Sequence, residues 1–267
     1  MRVALLAGEG LYPYLFAERV KSLGHALVVI SFPGHDTRAL KPLADAFYEI
    51  RFGQLGRLLR ILKREKVQEI AFAGAINKPR ALWEARPDWR AWLLWRRLKH
   101  HHDDQIIRGL AEEIEKLGVK VISPTQYLPE LLTPQGVLTQ RRPTKDQWED
   151  IIFGYSMAKA LGELDIGQCL VVKDKMVVAV EAMEGTDATI RRAGSLMPET
   201  VVVKVCKPKQ DPRFDLPSAG VRTIETMLEA GAKVLALEAH QSLFFERERA
   251  LALADEAGMV VVGVTHE

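Results

Sequence analysis

The residues able to do chemistry in this sequence gather in two polar clusters, each following an apolar run. The first is Glu181-Ala-Met-Glu-Gly-Thr-Asp187, after Val177-Val-Ala-Val180. The second is Lys204-Val-Cys-Lys-Pro-Lys-Gln-Asp-Pro-Arg-Phe-Asp-Leu-Pro217, after Val201-Val-Val203. One supplies Glu181, Glu184 and Asp187; the other supplies Lys204, Lys207, Lys209, Asp211, Arg213 and Asp215. Carboxylates beside several cations suit Mg²⁺-assisted phosphate chemistry, because oxygen ligands hold the ion while Lys and Arg neutralise phosphoryl oxygens and a spare carboxylate orients water. Asp215, flanked by Phe214 and Leu216 and followed by Pro217, reads as a catalytic base or a metal ligand in a stiff, partly apolar frame. The alternative is a set of surface ion pairs on long loops.

The β-branched runs predict buried strands that open into these loops, and strand-end loops are where α/β folds bind ligands. The same plan is written at the start of the chain. Residues 3–7 predict a strand, Gly8-Glu-Gly10 a tight loop, 13–23 a helix ended by Gly24, and 27–32 a second strand. Glycines there let backbone N–H groups and a helix N-terminus face a phosphate or a sugar, or they serve the turn alone. Pro13 stands where a dinucleotide fingerprint has its third glycine, which disfavours a nucleotide-sugar oxidoreductase. Gly74-Ala-Ile-Asn-Lys-Pro79 follows another predicted strand, and Asn77 and Lys78 could reach ligand hydroxyls or phosphate from it.

Pro124, Pro129, Pro134, Gly136 and Pro143 form a run of breakers. They predict an N-terminal Rossmann-like parallel-sheet domain over 1–134, a linker over 135–144 and a C-terminal catalytic α/β domain over 145–267. With 267 residues, 48% of them hydrophobic, the chain can fill a core in each. The charge of +2, from 37 basic and 35 acidic residues, gives no global field for nucleic acid. Cys169 and Cys206, far apart in apolar contexts, read as reduced core thiols, and no apolar run approaches the ~20 residues of a membrane span, so a cytoplasmic protein is expected. Trp83, Trp89, Trp92 and Trp95, interleaved with Arg96, Arg97 and Lys99, suit either an interfacial helix or one whose tryptophans pack inward. His100-His-His102 cannot all reach one ion from a helix, and Asp103 or Asp104 is expected to cap the helix that follows. A cap from Thr186 or Asp187 is expected for the helix after the first cluster.

The strings Leu164-Asp-Ile-Gly-Gln168, Val180-Glu-Ala-Met-Glu-Gly-Thr-Asp-Ala188, Arg191-Arg192, Lys207-Pro-Lys-Gln-Asp211 and Arg213-Phe-Asp-Leu-Pro217 resemble the LpxI family. So do Leu5-Leu-Ala-Gly-Glu-Gly10, Phe72-Ala-Gly-Ala-Ile-Asn-Lys-Pro79 and Asp103-Asp104, which spreads the likeness over nearly the whole chain. The resemblance implies a Mg²⁺-dependent hydrolase that splits UDP-2,3-diacylglucosamine into UMP and 2,3-diacylglucosamine 1-phosphate (lipid X) in lipid A biosynthesis. It implies attack by water on the sugar-side phosphorus, with Asp215 critical for turnover. Two domains with substrate held between them, a homodimer, and peripheral contact with the inner membrane are expected with it. Motif and chemistry together nominate Asp215, Asp187 and Arg213 as catalytic, and Asp215, Glu184 and Asp187 as metal ligands. Gly8, Gly10, Gly74, Asn77, Asp104, Gln168, Thr186, Lys207 and Gln210 are nominated for substrate. His240 stands where the family has glycine, which suggests a close backbone approach and a narrowed acyl pocket. The rival from another class is a two-domain protein that binds lipid X or a nucleotide sugar without turning it over.

Overall fold

The computed structural model describes residues 1–76, 85–97 and 103–265, with the side chains of 103 and 104 left out. Asn77, Lys78, Trp83 and His100 to His102 lie outside the described residues. The chain divides into two compact units: Met1–Pro129 with Asp211–Phe214, and Glu130–Gln210 with Asp215–Glu267.

In unit 1, strands β1 (Arg2–Ala7), β2 (Ala26–Ser31), β3 (Ala46–Glu49), β4 (Glu69–Ala73) and β5 (Lys120–Ile122) form one sheet in the order β3-β2-β1-β4-β5. Every pair is parallel. Parallel strands need crossovers, and helices α1 (Leu11–Ser22), α2 (Leu55–Arg64), α3 (Trp89–Arg97) and α4 (Asp103–Glu115) lie between them in sequence. Val3, Leu5, Leu27 and Val29 alternate with Ala4, Leu6, Val28 and Ile30, and all are buried, as a sheet covered on both faces demands. The second set packs against Leu58, Leu59, Ile61 and Leu62 of α2 and Ala111 and Ile114 of α4. This is the expected Rossmann-like half, and the chain reverses direction across the sheet between β1 and β4. In doubly wound sheets that reversal opens a crevice at the strands' carboxyl ends.

Unit 2 holds a mixed sheet in the order β6-β13-β11-β9-β7-β8. Its strands are β6 (Gly136–Val137), β7 (Cys169–Lys173), β8 (Met176–Val180), β9 (Val201–Lys204), β11 (Val234–Glu238) and β13 (Val260–Val264); short β10 (Ser218–Ala219) pairs separately with β12 (Leu243–Phe244). One face of the sheet packs on α5 (Lys145–Glu163) through Ile151, Tyr155 and Ala158. The other packs on α6 (Thr186–Leu196), α7 (Val221–Glu229) and α8 (Arg247–Glu256) through Ile190, Ile224, Ala250 and Ala254. Consecutive Val201, Val202 and Val203 serve both faces, which is why the run reads as continuously apolar. The expected linker stretch 135–144 is built onto this unit. Val137 pairs with Val262, Thr139 Oγ1 accepts the Val261 N–H at 3.0 Å and Asp255 accepts the Gln140 N–H at 2.8 Å. Breakers stopped the helices there, but the backbone between them still found an edge strand to pair with.

Both cysteines are buried and unpaired. Burial pushes the Cys169 thiol up to about 12, and burial with the Glu238 carboxylate pushes Cys206 up to about 11. Among the described residues no helix is long and apolar enough to cross a membrane.

The Gly8 loop shows why glycine stands at the end of β1. Gly8 N–H donates to Ala73 O at 2.8 Å, and Glu9 and Ala75 exchange bonds at 2.8 and 3.0 Å. A Cβ on Gly8 would lie 2.7 Å from Gly74 O and closer still to Ala75 O. Gly8→Ala is therefore expected to destabilise the fold by about 2 kcal/mol or more. Gly10, at φ +103° with open space around its Cβ position, carries only backbone strain, about 1–2 kcal/mol when a side chain is added. Thermal denaturation of the two variants checks the order.

Candidate active site

Asp215 lies in unit 2, in the loop that leaves β9, and it is exposed. Its carboxylate is aimed by Gln210, whose Nε2 donates to Oδ2 at 2.5 Å while Oε1 accepts the Lys207 N–H at 3.2 Å. The origin of that loop is locked from beneath. Cys206 N–H donates to Glu238 Oε2 at 2.8 Å, and Lys159 Nζ donates to Cys206 O at 2.9 Å and to the Glu238 carboxylate at 2.7 Å. Tyr155 O–H donates to Glu238 Oε1 at 2.8 Å. Burial and that carboxylate raise the Tyr155 phenol above its ordinary value, so it remains a donor. Glu238 ends the otherwise apolar strand β11, and Tyr155 and Lys159 are four apart on one face of α5. A buried carboxylate that receives a phenol, an ammonium and a backbone N–H has its acceptor positions filled by groups that fix the backbone at Cys206. Sequence reading missed these three residues; a carboxylate closing an all-apolar strand was the available signal.

The cations of the second cluster build the loop itself. Lys204 is buried and donates to Ser218 O at 2.8 Å, and Lys209 Nζ reaches Glu163 O at 3.3 Å. Lys207 Nζ pairs with Asp165 at 2.8 Å. Arg213, in unit 1, is held by Asp211 at 2.8 Å through Nη2 and by Glu115 at 2.9 Å through Nη1, and its guanidinium lies over the Phe214 ring. Burial would raise the Asp211 carboxyl, but bonds from Arg213 outweigh it and hold the group below the usual carboxylate range. Phe214 meets Phe72 edge-on, with ring centroids 5.1 Å apart.

In the first cluster, Thr186 Oγ1 donates to buried Glu181 at 2.7 Å, and Gln168 N–H reaches the same carboxylate at 3.3 Å. That bond corrects the expected cap: Gly185, at φ +82°, stands at the N-cap of α6 without a side-chain bond, because the Thr186 hydroxyl is drawn to Glu181. Glu184 accepts from Arg192 at 2.8 Å, and its own backbone N–H and then Arg192 hold its carboxyl below the usual range. Asp187 accepts from Arg222 at 3.1 Å. Gln168 Oε1 is buried with no hydrogen-bond partner among the described residues, an orphan acceptor of the kind a ligand donor satisfies. In unit 1, Ser31 Oγ, at the carboxyl end of β2, and His35 Nε2 are orphaned likewise, and neither was singled out from sequence.

The nominated residues are thus brought together in part. Asp215, Gln210 and Lys207 share one loop, and Thr186, Glu184 and Asp187 share the start of α6. Gly8 and Gly74 face each other's backbone across the ends of β1 and β4, so loop packing alone requires glycine there. Asn77 is outside the described residues. Asp103 and Asp104 lie within α4 rather than preceding it. Among the described residues no three His, Cys, Asp or Glu side chains gather to hold a metal ion, and Glu184 and Asp187 are paired with Arg192 and Arg222. His240 has φ +60° and an exposed side chain, so the residue favoured there is set by left-handed backbone and not by a close approach.

Fold and loops define a two-unit α/β protein whose polar residues collect at strand ends. The LpxI N-terminal domain family matches residues 2–131 and the LpxI C-terminal domain family matches residues 134–262. The UDP-2,3-diacylglucosamine pyrophosphatase LpxI of Caulobacter vibrioides (strain ATCC 19089 / CIP 103742 / CB 15) is 32% identical over 276 residues, covering 98% of this chain and 97% of that protein. The chain belongs to the LpxI family, as its motifs suggested. Among solved structures, the biotin carboxylase subunit of pyruvate carboxylase aligns over 67% of this chain and 35% of that one, with 16% identity and a TM-score of 0.28, a likeness too slight to argue from.

Proposed function

We propose that this chain hydrolyses the pyrophosphate of UDP-2,3-diacylglucosamine to UMP and lipid X for lipid A biosynthesis, in the cytoplasm and as a homodimer. The observation that carries this reading is the exposed Asp215 carboxylate, aimed by Gln210 at 2.5 Å on a loop that Glu238 anchors. The near-full-length likeness to a relative named for that reaction supports it.

In the proposed reaction Asp215 takes a proton from water as the water oxygen bonds to the sugar-side phosphorus. The bond from that phosphorus to the bridging oxygen breaks, and the bridging oxygen leaves with UMP. Gln210 keeps the Asp215 oxygen in place, which spares the transition state the entropy of finding it. Lys207 supplies a cation to the phosphoryl oxygens by exchanging Asp165, whose side chain is 65% exposed. Ion pairs of that exposure are worth about 0–1 kcal/mol, so the exchange is easy. Gln168 Oε1 accepts from a substrate hydroxyl.

No step is assigned to a metal. Asp215, Glu184 and Asp187 remain the carboxylates proposed for Mg²⁺, the last two by exchanging their exposed arginine partners. An ion brought by the diphosphate needs about one or two protein carboxylates besides the phosphates. Purified protein incubated with UDP-2,3-diacylglucosamine and either Mg²⁺ or EDTA tests both points, with UMP and lipid X followed by mass spectrometry. Both products are expected with Mg²⁺ and neither with EDTA. Equal turnover in EDTA removes the metal from the account, and tight binding without turnover in either condition replaces the hydrolase with a binding protein.

A further inference from the structure

Helix α3 is fastened to unit 1 along one narrow stripe. Asp88 caps it: Oδ1 accepts the N–H groups of Arg90 and Ala91 at 3.1 and 3.0 Å, and Oδ2 accepts the Gly56 N–H of α2 at 2.7 Å. Ala91 and Leu94, one turn apart, pack against the core, and no residue of the helix is buried. The tryptophans take the other positions, with Trp89 66%, Trp92 52% and Trp95 49% exposed and Leu93 exposed beside them. The inward packing allowed by the sequence is therefore not adopted: small Ala91 and flexible Leu94 fill the shallow contact, and the indoles face outward. So many large apolar side chains on a single short helix mark an interaction surface.

Charge identifies the partner. Arg90 lies over the Trp89 ring at 5.2 Å and Arg96 over the Trp92 ring at 4.7 Å, so cations stand on the outward indoles. The helix contains no carboxylate, and both oxygens of Asp88 are occupied by backbone N–H groups. Among the described residues Arg97 is paired with Glu113, at 3.4 Å. A second copy docking symmetrically would bring arginine against arginine with no acid on the helix to pair them. Indoles prefer the boundary between headgroups and acyl chains, and arginines beside them suit anionic headgroups.

We propose that the exposed Trp89, Trp92, Trp95, Arg90 and Arg96 face of this helix docks on the anionic lipid surface of a bilayer. The proposal draws on the functional reading only in that a diacyl substrate resides there; docking itself needs no substrate. The full chain is tested by co-sedimentation with phosphatidylcholine vesicles containing about one-third phosphatidylglycerol, against vesicles of phosphatidylcholine alone. Wild type is expected to partition about tenfold more strongly to the anionic vesicles, and W89A/W92A/W95A to lose about 100-fold in partition. Arg90→Gln with Arg96→Gln is expected to reduce the preference for anionic lipid while leaving the fold and weak binding to neutral vesicles intact.

Hydrolysis of detergent-dispersed substrate by the tryptophan variant is expected to stay within about twofold of wild type, which separates failure of docking from failure of the reaction. Circular dichroism of each variant excludes unfolding as the cause of lost binding. Wild type that ignores anionic vesicles overturns the proposal, as does a folded tryptophan variant that binds like wild type. Loss of a dimer in the tryptophan variant, without any vesicle binding by wild type, assigns the face to a second copy instead.

Discussion

Asp215→Asn is expected to lower kcat about a thousandfold, within the range for loss of a general base, while KM changes less than about threefold. The substitution keeps the shape of the side chain and an acceptor for Gln210, but it removes the group that takes the proton. Asp215 is exposed, and asparagine can keep the 2.5 Å bond from Gln210. The melting temperature should therefore move by less than about 2 °C. Gln210→Ala, which leaves the carboxylate chemically intact but unaimed, is expected to fall between wild type and Asp215→Asn. Steady-state kinetics and thermal denaturation of the two variants check this ordering. An Asp215→Asn enzyme within tenfold of wild type removes Asp215 from the mechanism.

The second large effect belongs to Glu238, which touches no substrate in this account and acts by positioning. Glu238→Ala leaves Lys159 partly buried without its carboxylate, and it removes the acceptor of Tyr155 O–H and Cys206 N–H. Breaking a buried pair from one side costs about 3–5 kcal/mol, or about 10 °C in melting temperature for a chain of this size. Release of the Cys206 anchor is expected to lower kcat a further 10- to 100-fold, about the cost of a 1 Å misplacement of a catalytic group. Lys159→Met combined with Glu238→Gln removes the stranded charge while keeping an acceptor for the Cys206 N–H, with the amide NH2 turned to the Tyr155 oxygen. That double variant should regain most of the melting temperature lost by Glu238→Ala. If Glu238→Ala melts and turns over as wild type does, the buried network does not support the loop.

Much of the architecture was legible because local signals agreed. The run from Val3 to Ala7, the glycines after it and the next apolar run yield β1, α1 and β2. Lys173-Asp-Lys175, three polar residues between apolar runs, is a turn signal in the sequence, and both Asp174 and Lys175 take positive φ there. Its support was not: Asp150, on α5, accepts the N–H groups of both at 3.0 and 2.6 Å, a bond that no local pattern announces. Strands of two residues such as β6, β10 and β12 have too little sequence to show a period, and they form because partners fix them.

Composition showed carboxylates and cations side by side, but it could not show which cations the loops would use on themselves. Lys204 bonds a carbonyl, Lys207 bonds Asp165 and Arg213 bonds two carboxylates. The choice between the two readings of the tryptophan helix also needed the packing surface. Hydrophobicity alone favours burying indoles, whereas Ala91 and Leu94 make the contact with the core of unit 1 and the tryptophans are exposed.

Single-turnover hydrolysis of UDP-2,3-diacylglucosamine in water labelled with heavy oxygen tests the central claim most directly, with both products weighed by mass spectrometry. The account predicts one heavy oxygen in the phosphate of lipid X, none in UMP, and no labelled product from Asp215→Asn on the same time scale. Label in UMP, or bound substrate that never acquires label in either product, would contradict it.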